Sequence, residues 1–176
     1  GRISRLHHFA TWNTRPICTG WVKNSLSPSL RWLSFAEYDV DWSLFEAIAR
    51  CPQLTGLTIL GSADFVLPSN TVLASLPLLR LKLGFFLTKV FPTTLMRLEI
   101  TSARDTDLRS ITRLLFLDLK VSQNVVAPLQ LQGLVIDSHS SISNVKDLHL
   151  EQVLCLGGYY TPFNEFLTAK HAEKRL

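Results

Sequence analysis

The sequence predicts an α/β solenoid with a parallel sheet along its concave side, and three observations predict it. First, a pattern of Leu, two residues, Leu, one residue, then Leu, Ile or Phe starts at Leu30, Leu54, Leu78, Leu95, Leu114 and Leu131. Second, the first three copies, at Leu30, Leu54 and Leu78, are evenly spaced. A fixed period of about 20–30 residues marks an array whose unit is one strand plus a return segment. Third, 47% of the chain is hydrophobic, only 18% is charged, and 32 of its 176 residues are leucine, which suits a continuous buried core rather than disorder. Chance alone gives ~1.6 copies of the pattern in a chain this rich in Leu, Ile and Phe. Eight occur, six of them independent of overlaps.

Residues 1–28 form an atypical N-terminal or capping segment, in which Leu6 precedes Leu30 by the same interval and starts a degenerate copy. An end unit must close the exposed end of the core, so irregular sequence is expected there. Pro28, flanked by serines, marks a turn. The array proper spans residues 29–158. In its first strand Leu33 and Phe35 alternate with Trp32 and Ser34, the period-two signature. Asp39 or Asp41 caps a helix over residues 41–50, with Trp42, Phe45 and Ala49 on one face and Leu44 and Ile48 beside it. Cys51-Pro52 ends the helix, because the residue before proline disfavours helical geometry, and the second strand follows. The third unit repeats this plan. Leu67-Pro68-Ser69 is a turn, residues 71–76 a short helix, Pro77 its stop and residues 79–83 a strand.

Beyond Leu83 the period contracts. Copies start at Leu95, Leu114 and Leu131, with a weaker one at Val145-Leu148-Leu150. These starts lie closer together than the usual minimum of about 20 residues. Such units hold a strand and a short extended or 3₁₀ return, so helices are expected mainly in the N-terminal half. Asp107 caps a short helix beginning at Asp107 or Leu108. Gly157-Gly158 breaks the array, and residues 159–176 form a C-terminal helix or tail with Thr161 as cap and Pro162 at its first position.

The composition also excludes several functions. The net charge of +4 is mild and scattered, which argues against nucleic acid. No run of about 18 apolar residues offers a membrane span. Three cysteines, Cys18, Cys51 and Cys155, lie far apart, which favours a reducing, intracellular compartment and buried packing roles over a disulfide framework. No Gly-x-Ser-x-Gly elbow, phosphate-binding glycine loop or metal-ligand spacing occurs, so no catalytic residue, cofactor or metal is expected. His139 and His149 are the one pair that neighbouring strands could bring together. With Gly at position 1 and a single methionine, Met96, the chain is expected to be a monomeric part of a longer protein.

The unit from Leu44 to Ile59, Leu-Phe-Glu-Ala-Ile-Ala-Arg-Cys-Pro-Gln-Leu-Thr-Gly-Leu-Thr-Ile, resembles the leucine-rich repeats of F-box proteins, in which a helix commonly ends in Cys-Pro before Leu-x-x-Leu-x-Leu. The resemblance is specific over residues 41–60 and generic over 29–156, and nothing in residues 1–28 matches an F-box. It implies a leucine-rich-repeat-like fold and a non-catalytic protein-interaction module that holds a substrate for ubiquitin transfer. The alternatives are a generic repeat scaffold or immune-sensor array, and a small α/β enzyme whose leucines are core strands. The chain departs from the wider repeat consensus at the position three after the third apolar residue, where Asn or Cys bonds the turn. Here that position holds Tyr38, Ser62, Phe86, Ala103, Ser122 and His139, so the turn backbone needs other partners.

In such an array the leucines point inward and the third and fifth pattern positions face a partner. Those positions are Trp32 and Ser34, Gly56 and Thr58, Arg80 and Lys82, Arg97 and Glu99, Phe116 and Asp118, Gly133 and Val135, and Asp147 and His149. Exposed aromatic and arginine side chains are the types that anchor protein interfaces. The expected protein-binding residues are therefore Trp32, Arg80, Lys82, Arg97 and Phe116.

Overall fold

The computed structural model describes residues 7–11, 26–36, 42–60, 70–85 and 90–156. Eight strands, β1 (His8–Thr11), β2 (Trp32–Ala36), β3 (Gly56–Leu60), β4 (Arg80–Phe85), β5 (Arg97–Ser102), β6 (Phe116–Leu119), β7 (Gln130–Asp137) and β8 (His149–Leu156), form one sheet in chain order. Every neighbouring pair is parallel. Parallel neighbours require a crossover between them. With eight in sequence order, the chain advances by one strand per crossover, an arrangement compatible with a solenoid.

The apolar pattern sets the register. The fourth-position residues Leu33, Leu57, Leu81, Leu98, Leu117 and Leu134 pair in a row, and the sixth-position residues Phe35, Ile59, Leu83, Ile100, Leu119 and Ile136 pair in the next. All twelve are buried in one continuous core. A slip of one residue would turn every one of them to the other face. At the start of the strands one carbonyl accepts two successive N–H groups, first His7 from Arg31 and Trp32, then Arg31, Thr55, Leu79, Met96 and Leu115 in the same way from the unit that follows. The hydrogen-bond period therefore follows the sequence period.

The return segments are of two kinds. Between β2 and β3 lies α1 (Trp42–Ala49), and between β3 and β4 lies α2 (Asn70–Ser75). In α1, Leu44, Phe45 and Ile48 are buried, whereas Ala49 is exposed. The buried face is thus the one beside the face that the spacing of Phe45 and Ala49 implied. From β5 onward the returns are extended and form their own parallel bridges, Arg104 with Gln123, Asp107 with Val126 and Val125 with Ile142. A 3₁₀ turn, Val145–Asp147, precedes β8. No helix starts at Asp107. Its carboxylate accepts the Arg109 backbone N–H at 3.0 Å and its guanidinium at 2.6 Å, and the backbone turns at Arg109 and Ser110 instead. The carboxylate therefore serves a local turn, and Asp107 itself sits in a bridge to Val126.

The last strand departs from the expected register. Leu131 pairs with Leu150, Leu134 with Val153 and Ile136 with Cys155, so the final copy starts at Leu150 rather than Val145. The 3₁₀ turn takes up the residues from Val145, and Leu148 closes the core one step earlier. His139 and His149 are not brought together, because His139 follows the C-terminal end of β7 and His149 opens β8 at the other end of the sheet. Asp39, Asp41, Tyr38, Ser62, Phe86, the turn at Leu67-Pro68-Ser69 and the expected segment 159–176 lie outside the described residues.

Candidate functional site

With the leucines turned into the core, the alternate positions form two rows on the open face of the sheet. Trp32, Gly56, Arg80, Arg97, Phe116, Gly133 and Gln152 stand in one row. Ser34, Thr58, Lys82, Glu99, Asp118, Val135 and Leu154 stand in the other. All five expected binding residues are therefore brought onto one face, Trp32 on β2, Arg80 and Lys82 on β4, Arg97 on β5 and Phe116 on β6. The shift in β8 replaces Asp147 and His149 with Gln152 and Leu154, so the C-terminal end of this face carries an exposed leucine where the sequence reading put an acid and a histidine. Leu154 is 55% exposed.

Both aromatic residues lie over a glycine of the next strand. A Cβ built on Gly56 would overlap the Trp32 indole, and one on Gly133 would come within 2.7 Å of the Phe116 ring. Neighbouring strands stand about 4.8 Å apart, so a side chain at these positions would occupy the space the rings fill. Trp32 is half-buried by this arrangement, whereas Phe116 remains 42% exposed. The relation of the aromatic to the glycine was not legible in the motif alone, because the two belong to different copies of it.

Between the aromatic ends lies a charged centre. Glu99 receives the Lys82 ammonium at 2.9 Å and Arg97 Nε at 3.0 Å. Burial pulls the Glu99 carboxyl upward, and its bonds to Lys82 and Arg97 outweigh burial, so its pKa lies below the ordinary value. Arg80 is exposed and has no ion-pair partner among the described residues. Asp118 has one carboxylate oxygen enclosed without a hydrogen-bond partner, and burial pushes its pKa up against the pull of Lys120.

Two shallow cavities occupy this face. One of about 340 Å³ is lined by Trp32, Arg80, Lys82, Arg97 and Glu99, with Thr58 among its other walls. The other, of about 240 Å³, lies over Gly133 between Phe116, Asp118, Val135 and Leu154. Three cations and one carboxylate supply the charge of the first; Arg97 also borders the second, whose other walls are mostly apolar.

The turn position that lacks Asn is served by serine. Ser122 Oγ accepts the Ala103 N–H at 3.1 Å, and Ser140 Oγ accepts the Ser122 N–H at 2.9 Å. Ser140 in turn donates to Asp137 at 2.7 Å, and the same carboxylate accepts the Val121 and His139 N–H groups. Both serines are buried. The second one sits a residue beyond the consensus position held by His139, which is why the sequence pattern missed it.

Among the described residues no group of three or more His, Cys, Asp or Glu side chains could hold a metal ion, and no helix is long and apolar enough to cross a membrane. Cys51 is buried against the end of α1, and burial raises its thiol pKa, which suppresses the reactive thiolate. No family model, curated protein or solved structure matches the chain.

Proposed function

We propose that this chain is a non-catalytic protein-interaction module of the leucine-rich-repeat type, which binds a partner protein on the open face of its sheet. The observation that carries this reading is the alignment of Trp32, Arg80, Lys82, Arg97 and Phe116 on one face of one sheet, on four of the strands between β2 and β6, with the charged centre between two aromatic flanks. Strands whose apolar side is locked in the core hold their outward side chains at fixed spacing, so the face is organised before a partner arrives and little ordering remains to oppose binding. The likeness of the Cys51-Pro52 unit to F-box repeats favours substrate recognition for a ubiquitin ligase as the specific role. The sparse cysteines, with Cys51 buried, favour an intracellular setting.

The test is affinity capture from a eukaryotic lysate with mass-spectrometric readout. The wild-type chain is compared with a variant carrying Trp32→Ala, Arg80→Glu and Arg97→Glu, after circular dichroism shows both folded alike. A protein retained by the wild type and lost by the variant supports the open face as the binding site. Identical retention by both removes that face from consideration.

A further inference from the structure

Resting on that reading, we infer that the face recognises one extended segment of its partner through two features, an acidic side chain over Arg80 and a bulky apolar side chain between Phe116 and Leu154. The acidic requirement follows from charge. Three cations and one carboxylate line the first cavity. Glu99 engages Lys82 and Arg97, and leaves Arg80 as the cation with no ion-pair partner among the described residues. A partner carboxylate completes that group, and an arginine fork suits it bidentately. A basic side chain would meet three like charges instead.

The apolar requirement follows from the walls of the second cavity. Phe116 and Leu154, both among the large apolar side chains that remain exposed, line it together with Val135. Gly133 leaves room for the Phe116 ring to lie across the next strand, since a Cβ there would come within 2.7 Å of it. An apolar side chain placed there leaves water, which favours binding, and it also covers two exposed residues. Asp118 also lines this cavity, with one carboxylate oxygen enclosed and without a hydrogen-bond partner.

The strand spacing ties the two features together. Arg80 stands on β4 and the apolar slot between β6 and β8 is centred on β7, which puts the two three strands, about 14 Å, apart at a spacing of about 4.8 Å. An extended peptide crossing the sheet covers that distance in about four residues at about 3.3 Å each. Four is an even number, so both side chains point to the same side of the peptide. The recognised segment thus carries an acid and a large apolar residue four positions apart.

The experiment selects short random peptides displayed on phage against the whole chain at low salt, and then measures the enriched peptide by fluorescence anisotropy. The expected enrichment is an acidic and a bulky apolar residue at that separation. Arg80→Glu should weaken the peptide by about tenfold or more, and exchanging its acid for lysine should restore affinity to the Arg80→Glu protein. That reciprocal rescue shows that the variant is folded. Leu154→Asp should weaken binding similarly and leave the acid dependence intact. An enriched sequence lacking the acid, or a charge exchange that rescues nothing, overturns the inference. If no peptide is enriched while the lysate partner is still lost on mutating the face, the partner is recognised as a folded surface, and this inference falls while the proposed function stands. If neither peptide nor lysate protein depends on the face, both fall.

Discussion

The two halves of this chain carry the same inner strands and different outer layers. The units that start at Leu30 and Leu54 are the long ones, and they return through α1 and α2. From Leu78 to Leu150 the units are shorter and return through extended chain once β5 is passed. The inner register does not change across the junction, because Leu81 pairs with Leu98 just as Leu57 pairs with Leu81. The difference lies in how the outer backbone is satisfied. A helix bonds its own N–H and C=O groups, whereas an extended return leg must find them elsewhere. Here it finds them on the neighbouring unit, through Asp105 N–H to Gln123 O, Leu108 N–H to Val126 O and, in the other direction, Ser143 N–H to Val125 O, and through the buried serines. On its outer side the helical half therefore satisfies its backbone within each unit, although α1 and α2 pack on each other, and the C-terminal half does so by bonds between units.

The largest effects test whether the inner layer is common to both halves. Leu57 and Leu117 occupy the same position on β3 and β6, and each is 1% exposed. Leu57→Ala and Leu117→Ala should each destabilise by about 2–5 kcal/mol, measured by urea unfolding. A much smaller loss at Leu117 would mean that the short units rely on their outer ladders more than on the core. Phe45→Ala removes a fully buried aromatic side chain of α1 and should cost about 3–5 kcal/mol.

Ser122→Ala addresses the outer coupling directly. It leaves the buried Ala103 N–H without its acceptor, which costs about 1–3 kcal/mol. Native-state hydrogen exchange should speed up at Ala103 and at the amides bonded across the same turn, with the amides of α1 unaffected. Uniform acceleration in both halves would contradict the local coupling.

Asp137 makes that coupling sensitive to acid. Partial burial raises its carboxyl pKa, and bonds from Ser140, Val121 and His139 outweigh it, so the folded value lies below the ordinary one. A depressed folded pKa means that the unfolded chain takes up the proton first. The contribution is complete above the ordinary carboxylate range and disappears as pH falls through that range and then through the folded value. Asp137→Asn should therefore flatten the acid limb of the stability profile and change the region near pH 7 by the loss of these bonds. An unchanged acid limb would remove Asp137 as its source.

How much of this was legible depends on which layer a residue serves. Leu33, Leu57, Leu98 and their neighbours announced the strands because core burial and the period-two pleat act on the same residues. The same rule placed Trp32, Arg80, Lys82, Arg97 and Phe116 on one face. At β8 it failed, because Val145, Leu148 and Leu150 offer a plausible triplet, and the spacing that resolves the choice belongs to the neighbouring strand, where Leu131 selects Leu150. The outer layer of the short units was less visible still. Ser122 and Ser140 act through bonds to backbone groups 19 and 18 residues away, and a serine in isolation gives no sign of such a partner. The expected helix at Asp107 failed for a related reason: an acid followed by a turn satisfies the same local bonds as an acid that caps a helix.

The smallest predicted effect separates the two halves by backbone strain. Asp105, Val121 and Asn124, the positive-φ residues other than glycine among those described, all lie in the short units, where an extended leg must leave the sheet within a few residues. Asp and Asn tolerate that conformation, and Asn124 Nδ2 bonds Asp105 across the two equivalent turns at 2.9 Å. Val121, at φ 50°, does not have that excuse: a β-branched side chain there costs about 1–2 kcal/mol. It is 51% exposed, and its N–H is held by both oxygens of Asp137. Val121→Gly keeps that N–H, relieves the strain, and loses about 0.5–1 kcal/mol to the greater freedom of the unfolded chain. The net expectation is a gain of about 0.5–1 kcal/mol, read as a higher urea midpoint with an unchanged slope. Asn124→Gly should gain nothing, because it gives up the bond to Asp105. A loss of stability in Val121→Gly would show that the valine side chain is held by contacts that offset its backbone strain, and the tight turn would then be a packing feature of the short units rather than a cost of their length.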